Sequence, residues 1–285
     1  MAQSHFTRRQ FLKWSLRSAG AAAVVGTGSM VYVSQVEPYL VQVRTREVVL
    51  PHLPAAFEGY RIGHISDLHM GGWMTRAHME TVAATLDTLK PEALMITGDF
   101  IDHMPRGIED DLKQTLGMLT APDGVYGVLG NHDYWTDASL VRRAAESAGV
   151  QMLDNAHVRL TRNSESLIVA GVDDIWEHQQ DLAAALDGVP QDAACVLLAH
   201  EPDYADTVAS DGRVGLILSG HTHGGQVRVP LRGALILPRL GVKYDWGMFT
   251  IGSTQLHVSA GLGMVKPAVR FNCPPEITML TLRPA

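Results

Sequence analysis

Short apolar runs recur along this chain and are separated by stretches with other periodicities. Five of them have the length and continuous hydrophobicity of buried strands, at residues 62–66, 93–97, 125–129, 196–199 and 216–219. A continuous apolar run of this length is typical of a strand that is covered on both faces. The pattern therefore predicts a sheet whose central strands lie inside the molecule.

A helical pattern follows each of the first three predicted strands. Apolar residues recur every three or four positions at Met79, Val82, Leu86 and Leu89. The same spacing predicts a helix over residues 108–119, and residues 140–148 predict a third helix. Strands and helices in alternation indicate βαβ units.

The second half of the chain is mostly β. Residues 158–161 and 167–170 flank a polar turn and predict a hairpin. Further strands are predicted at residues 39–50, 227–229, 248–251, 255–259 and 277–282. A half made of strands leaves an apolar face to bury, so we expect the two halves to pack sheet on sheet.

The composition is that of a globular protein with enough apolar material for a core. The chain has 285 residues, a net charge of −7 with neutral histidines and a pI near 6.0, which argues against a nucleic-acid-binding protein. Its two cysteines, Cys195 and Cys273, are too few for a zinc finger. Cys195 lies in the apolar run before His200 and is interpreted as a core residue, with a disulfide as the alternative.

Residues 1–40 are interpreted as a targeting segment rather than as part of the fold. Residues 7–13, Thr-Arg-Arg-Gln-Phe-Leu-Lys, resemble the twin-arginine export motif. The uncharged stretch over residues 18–36 has no Ala-x-Ala processing site after it and approaches the roughly 20 residues that span a bilayer. We expect export by the twin-arginine machinery to the periplasm or the outer face of the cytoplasmic membrane. Residues 18–36 are either part of a cleaved signal or an uncleaved membrane anchor, and we favour the anchor. The catalytic domain is then expected over residues 41–285.

Each of the five predicted buried strands is followed by side chains that bind metals. The blocks are Asp67-Leu68-His69, Gly98-Asp99, Gly130-Asn131-His132-Asp133, His200 and Gly220-His221-Thr222-His223. Ligands collect at the carboxyl ends of strands in sheets with crossover helices, so the five blocks predict one site. Oxygen and imidazole ligands without thiolate favour Mn, Fe or Zn and hydrolytic chemistry.

These ordered blocks resemble the motifs of the calcineurin-like metallophosphoesterase family, over about residues 48–282. The resemblance implies an α/β fold, a four-layer αββα sandwich of two mixed sheets flanked by helices, with two divalent metal ions at the strand carboxyl ends. The implied ligands are Asp67, His69 and His223 for the first ion, Asp99 as the bridge, and Asn131, His200 and His221 for the second. A water held between two such ions supplies hydroxide near neutral pH, which would attack a phosphodiester or pyrophosphate bond.

The resemblance further implies that His132 is a general acid for the leaving oxygen, with Asp133 orienting its ring and stabilising its charged form. The alternative for His132 is that it only positions Asn131. Asp102, which completes Gly-Asp-Phe-Ile-Asp, either supports the site or caps the following loop. His64 lies inside a predicted strand and is interpreted as a packed core histidine.

The chain looks most like the bacterial exported or membrane-anchored phosphodiesterases of this family. Protein serine/threonine phosphatases carry an arginine before Gly-Asn-His, where this chain has Leu129. Some relatives in the exported branch cleave the pyrophosphate of a UDP-linked lipid A precursor, so a UDP-2,3-diacylglucosamine-type lipid substrate is an alternative. A non-catalytic metal-binding scaffold is another. Residues 230–241 form either an ordinary loop and strand or a wall of the substrate cleft, with arginine for phosphate and leucine for acyl chains.

Overall fold

The computed structural model describes residues 8–102 and 108–285. The strands are, in chain order, β1 (Gln42–Leu50), β2 (Arg61–Ile65), β3 (Ala93–Thr97), β4 (Val125–Val128), β5 (Val150–Met152), β6 (Ala156–Arg162), β7 (Glu165–Gly171), β8 (Cys195–Leu198), β9 (Leu216–Ser219), β10 (Arg228–Val229), β11 (Gly233–Ala234), β12 (Gly247–Ile251), β13 (Thr254–Val258) and β14 (Glu276–Pro284). The helices are α1 (Arg8–Val31), α2 (Arg76–Leu89), α3 (Ile108–Leu116), α4 (Asn131–Thr136), α5 (Ala138–Ser147), α6 (Leu182–Ala185) and α7 (Ala205–Asp211).

Within the described residues, two six-stranded sheets carry the fold. The first has the spatial order β1-β14-β2-β3-β4-β5, in which β14 runs antiparallel to β2 and the other neighbours are parallel. The second has the order β12-β13-β9-β8-β7-β6, with antiparallel pairs at its two margins and parallel pairs between them. Both sheets are mixed, as expected. A short antiparallel ribbon of β10 and β11 follows the last helix.

Successive side chains of the central strands point alternately to the helices and to the other sheet. In β3, Leu94 and Ile96 pack among α2, α3 and α5, whereas Ala93 and Met95 pack against the second sheet. Successive side chains of a strand point to opposite faces, so a strand that is buried on both sides is apolar at every position. Met95 is fully buried, and truncating it to alanine would cost about 2–5 kcal/mol.

The second sheet is covered in the same way. In β8, Val196 and Leu198 face the first sheet, and Cys195 and Leu197 face α6 and α7. The layers therefore follow the order helix, sheet, sheet, helix, which confirms the αββα sandwich. Both cysteines of this part of the chain, Cys195 and Cys273, are free and buried, so Cys195 is the core residue that its sequence context predicts.

The chain enters the sandwich through a short 3-10 turn that is held to the domain. Glu37 in this turn is buried, and its Oε1 accepts a hydrogen bond from the Cys273 N–H at 2.7 Å. Because the turn extends to Tyr39, the first strand begins at Gln42 and is shorter than predicted. Thr7, the first residue of the export motif, lies outside the described residues. Over residues 8–102 and 108–285, no helix combines the length and the hydrophobicity needed to cross a membrane.

Candidate metal centre

The loops after five strands converge on one point. The strands β2, β3, β4, β8 and β9 each end two or three residues before a predicted metal ligand. These side chains are Asp67, Asp99, Asn131, His200 and His221. All five are buried. The packing of the two sheets thus brings the carboxyl ends of strands from both halves of the chain together, as expected for an α/β site.

Four of the predicted ligands form a compact cluster: Asp67, His69, Asp99 and His223. One ligand atom from each lies within 4.8 Å of the other three. His223 Nε2 lies 3.0 Å from His69 Nε2 and 3.4 Å from Asp67 Oδ1. Buried carboxylate and imidazole atoms around a common point are the donor set of a divalent transition-metal site.

Asp99 also faces a second group of predicted ligands. Its Oδ2 lies 3.4 Å from His69 Nε2 and 3.2 Å from His200 Nε2. His200 Nδ1 donates to the Thr97 carbonyl at 2.6 Å, so Nε2 is the ring nitrogen that faces Asp99. Asn131 Oδ1 is buried and accepts no hydrogen bond from the described residues. A buried acceptor without a donor is costly, and a cation at this point would satisfy it.

His221 completes this second group. Its backbone N–H donates to Asp67 Oδ1 at 2.9 Å, and its ring Nε2 donates to the Arg239 carbonyl at 2.8 Å. The carbonyl fixes the tautomer, so Nδ1 carries the lone pair. Burial lowers the pKa of His221 to about 3, which keeps the ring neutral at pH 7. Neutral imidazole is the form that binds a metal.

The backbone at the site is held in an uncommon conformation. Left-handed φ values between 49° and 69° occur at Asp67, His69, Asp99, His221 and His223. Residues other than glycine rarely adopt this conformation, and such strain concentrates at functional sites. The loops also approach one another closely, because a Cβ at Gly220 would lie 1.8 Å from Ser66 Oγ. The surrounding packing therefore holds the ligand loops in place.

His132 lies at the side of the cluster, with its Nδ1 3.5 Å from Asp102 Oδ1. Its ring packs edge-on against His69, with centroids 4.7 Å apart, and lies tilted against Trp135, with centroids 4.8 Å apart. Burial lowers the pKa of His132, and the carboxylates of Asp99 and Asp102 oppose this shift. The side chain is 21% exposed, so it can exchange a proton with a molecule bound beside the cluster.

The structure places the carboxylate of Asp102 beside the His132 ring, whereas the hydrogen bonds of Asp133 are with the backbone. Asp133 Oδ2 accepts the Gly130 N–H at 2.9 Å, and Asp133 Oδ1 accepts the Ile101 N–H at 3.1 Å. Asp133 therefore ties together two loops that each carry a predicted ligand.

A cleft of about 400 Å³ opens beside the cluster. The residues that it shares with the predicted site are Asp99, Asn131, His132, His221 and His223. The rest of its lining is largely apolar and includes Trp135, Trp176, Leu235, Ile236, Leu237, Pro238, Val265, Pro267 and Val269. Residues 235–238 belong to the segment for which the sequence left two interpretations, and they line the cleft. The tryptophans and residues 265–269 were not predicted, since no spacing links them to the ligand blocks.

The chain is similar to known proteins over most of its length. A family model described as calcineurin-like phosphoesterase matches residues 60–225, a segment that contains every predicted ligand. YkuE of Bacillus subtilis, an uncharacterised metallophosphoesterase, is 34% identical over 97% of this chain and 98% of its own length. The phosphodiesterase YaeI of Escherichia coli is 28% identical over 97% of this chain and 99% of its own length. The UDP-2,3-diacylglucosamine pyrophosphatase LpxG of Chlamydia trachomatis is 28% identical over 93% of this chain and 95% of its own length.

Proposed function

This chain belongs to the calcineurin-like phosphoesterase family and is a hydrolase, and we propose that it cleaves a phosphodiester or pyrophosphate bond with the help of two divalent metal ions. The proposal requires that the residues present suit a pair of ions. The buried Asn131 Oδ1, which accepts no hydrogen bond from the described residues, and the clustered carboxylate and imidazole donors support that requirement. Mn, Fe or Zn fits such a donor set.

The position of Asp99 carries the proposal. One of its oxygens, Oδ2, lies between His69 and His200, at 3.4 and 3.2 Å. A shared carboxylate is the usual way to hold two cations about 3.5–4 Å apart. We assign Asp67, His69 and His223 to the first ion, Asn131, His200 and His221 to the second, and Asp99 to both.

When bound, the two ions would neutralise charge on the phosphoryl oxygens and lower the pKa of the attacking water. The chain's own residues handle the leaving group. His132 gives a proton to the leaving oxygen, and Asp102 orients the ring and stabilises its charged form. Asp133 keeps the loops of Asp99 and Asn131 together through its two backbone contacts. The alternative role for His132 is to position Asn131, which is its neighbour in α4.

Replacing Asp99 with asparagine tests the two-ion proposal, because asparagine keeps the shape and removes the charge. We expect elemental analysis to show the loss of both ions, and hydrolysis of bis(p-nitrophenyl) phosphate to fall to background. Asp87→Asn, on the exposed face of α2, is the matched control and should keep the two ions and the hydrolytic activity.

Two outcomes would contradict parts of this proposal. A single equivalent of metal in the active wild-type protein would refute the pair of ions. Wild-type protein that holds both ions but hydrolyses neither phosphodiesters nor pyrophosphates would favour a non-catalytic scaffold.

A second candidate function is hydrolysis of the pyrophosphate of a UDP-2,3-diacylglucosamine-type lipid. The apolar lining of the cleft and the similarity to LpxG favour it. The test compares UDP-2,3-diacylglucosamine with a soluble nucleotide sugar that has the same diphosphate. A strong preference for the lipid supports this candidate, whereas equal rates favour a simple phosphodiester or pyrophosphate.

We also propose that residues 1–40 direct export and that residues 41–285 form the catalytic domain. The twin-arginine motif and the uncharged stretch at residues 18–36 support export to the periplasm or the outer face of the cytoplasmic membrane, with the stretch as a cleaved signal or an anchor. The expected partners are the export machinery, the membrane and a phosphoester substrate. The acidic balance of the chain gives no reason to expect nucleic acid.

A further inference from the structure

The hairpin of β10 and β11 carries a leucine that the fold does not explain. The two short strands pair antiparallel, and residues 230–232 form the tip. Leu231 at this tip is fully exposed, and its φ of +67° lies in the left-handed region. An exposed apolar side chain gains nothing from burial, and a left-handed backbone costs free energy for any residue except glycine. Both terms disfavour leucine in the isolated protein.

The apolar surface continues from this tip to the mouth of the metal-centre cleft. Leu235 and Ile236 follow β11 and are 50% and 80% exposed. Both also line the cleft. We call Leu231, Leu235 and Ile236 together the hairpin ridge. Three exposed aliphatic side chains next to a catalytic cleft form a surface of the kind that binds another molecule.

Positive charge flanks the hairpin ridge. The chain has a net charge of −7, yet residues 230–242 and residues 261–271 contain neither Asp nor Glu. These two segments carry Arg232, Arg239 and Lys266, all of which are exposed. Aliphatic side chains bordered by cations match the boundary between acyl chains and anionic headgroups.

The N-terminal segment joins the domain on the same side. Tyr32 and Leu40 share a depression with Pro230 and Phe271, directly beside the hairpin tip. Tyr32 and Leu40 are themselves exposed. A bilayer that contacts the end of this segment would therefore also meet the hairpin ridge.

We propose that the hairpin ridge docks on the surface of a lipid bilayer that contains anionic lipids, with the mouth of the cleft facing the headgroups. The aliphatic side chains of the ridge enter the boundary region, while Arg232 and Lys266 pair with lipid phosphates. This docking is independent of which phosphoester the site cleaves.

A fluorescent probe at the hairpin tip tests the proposal in the full-length protein. Leu231→Cys is labelled with an environment-sensitive fluorophore, and the buried Cys195 and Cys273 do not compete for the label under native conditions. The matched control is Val49→Cys. Val49 is 48% exposed and lies at the end of the first sheet where β2 begins, away from the carboxyl ends of the strands that carry the cleft. With vesicles of phosphatidylcholine and phosphatidylglycerol, we expect a blue shift and protection from an aqueous quencher at position 231 but not at position 49.

Three results would overturn the proposal. The first is a probe at position 231 that stays aqueous while the protein sediments with the vesicles, since the N-terminal segment alone would then hold it. The second is an equal response at position 49. The third is a shift at position 231 that depends on protein concentration without vesicles, which would assign the ridge to a second copy of the chain.

Arg232→Gln in the labelled protein tests the role of the positive charge beside the hairpin ridge. One arginine near an anionic surface contributes enough that its loss should raise the lipid concentration needed for half of the blue shift about five-fold. Arg143→Gln, on the exposed side of α5, is the matched control and should leave the titration unchanged. Equal titrations for the two variants would overturn the pairing of the ridge with anionic headgroups.

Discussion

Replacing Asp102 with asparagine removes a carboxylate that lies 3.5 Å from His132 Nδ1 and keeps the shape of the side chain. The same oxygen lies 3.7 Å from Nδ1 of His69, a proposed ligand of the first ion. The substitution therefore weakens two things, the charged form of the His132 ring and the orientation of His69. Only the first of these effects depends on the leaving group.

The structure sets the size of the first effect. A charge-assisted hydrogen bond contributes about 1.5–3 kcal/mol. The separation of 3.5 Å is long for such a bond and Asp102 is 16% exposed, so we expect a value at or below the lower end, about 1–1.5 kcal/mol. This corresponds to a loss of about 5- to 10-fold in rate where proton transfer from His132 limits the reaction. The contact with His69 should cost about ten-fold in metal affinity.

The assay measures kcat/KM at saturating Mn²⁺, on an alkyl phosphodiester and on its p-nitrophenyl analogue. Asp102→Asn should lose activity mainly on the alkyl ester, because nitrophenolate leaves without a proton. His132→Ala should lose about 10²–10⁴-fold on the alkyl ester and much less on the analogue, with its metal content unchanged. Asp133→Asn should lower both rates alike, since its carboxylate contacts the Gly130 and Ile101 backbone.

Two results would refute this reasoning. Equal losses on both substrates for Asp102→Asn at saturating metal would remove Asp102 from the leaving-group chemistry. A dependence on the leaving group in Asp133→Asn, and not in Asp102→Asn, would restore the role first expected for Asp133.

Three further predictions follow from other parts of the molecule. Gly220→Ala should abolish metal binding in elemental analysis, because the added Cβ would lie 1.8 Å from Ser66 Oγ, and retention of the metal would contradict this packing argument. Burial lowers the pKa of His257 to about 4, so between pH 6.5 and about 4 only the unfolded chain binds that proton, and this titration should lower the free energy of unfolding by on the order of 3 kcal/mol. Urea denaturation should therefore show a smaller fall over this window in His257→Gln than in the wild type, and equal falls would refute it. Replacing Arg8 and Arg9 with lysine should retain the protein in the cytoplasm, as fractionation would show, and normal amounts in the envelope would disprove the export motif.

The sequence by itself determined where the central strands lie and which side chains follow them. The apolar runs before Asp67 and Asp99 are the strands β2 and β3, because a continuous apolar run bounded by polar residues and glycine is well suited to a strand buried on both faces. His64 in the first run is buried, and its Nε2 lies 2.9 Å from Thr97 Oγ1, as expected for a packed core histidine. The positions of these strands follow from the apolar pattern over a few neighbouring residues, whereas the partner of His64 comes from the adjacent strand β3.

The order of the strands in the sheets was decided only by the tertiary structure. The last strand, β14, inserts between β1 and β2, and nothing in its own pattern distinguishes this position from the margin of a sheet. Insertion buries β14 on both faces and pairs both of its edges, which a marginal strand does not achieve.

The surroundings of the candidate acid were also decided by the tertiary structure alone. Asp133 is adjacent to His132 in sequence, yet its three-residue spacing from Gly130 directs its carboxylate to the backbone at the start of α4. Asp102 reaches the His132 ring from a different loop, and Trp176 reaches the same cleft from the second sheet. Helical turns and strand patterns are set over a few residues, whereas contacts between loops depend on how the two sheets pack against each other.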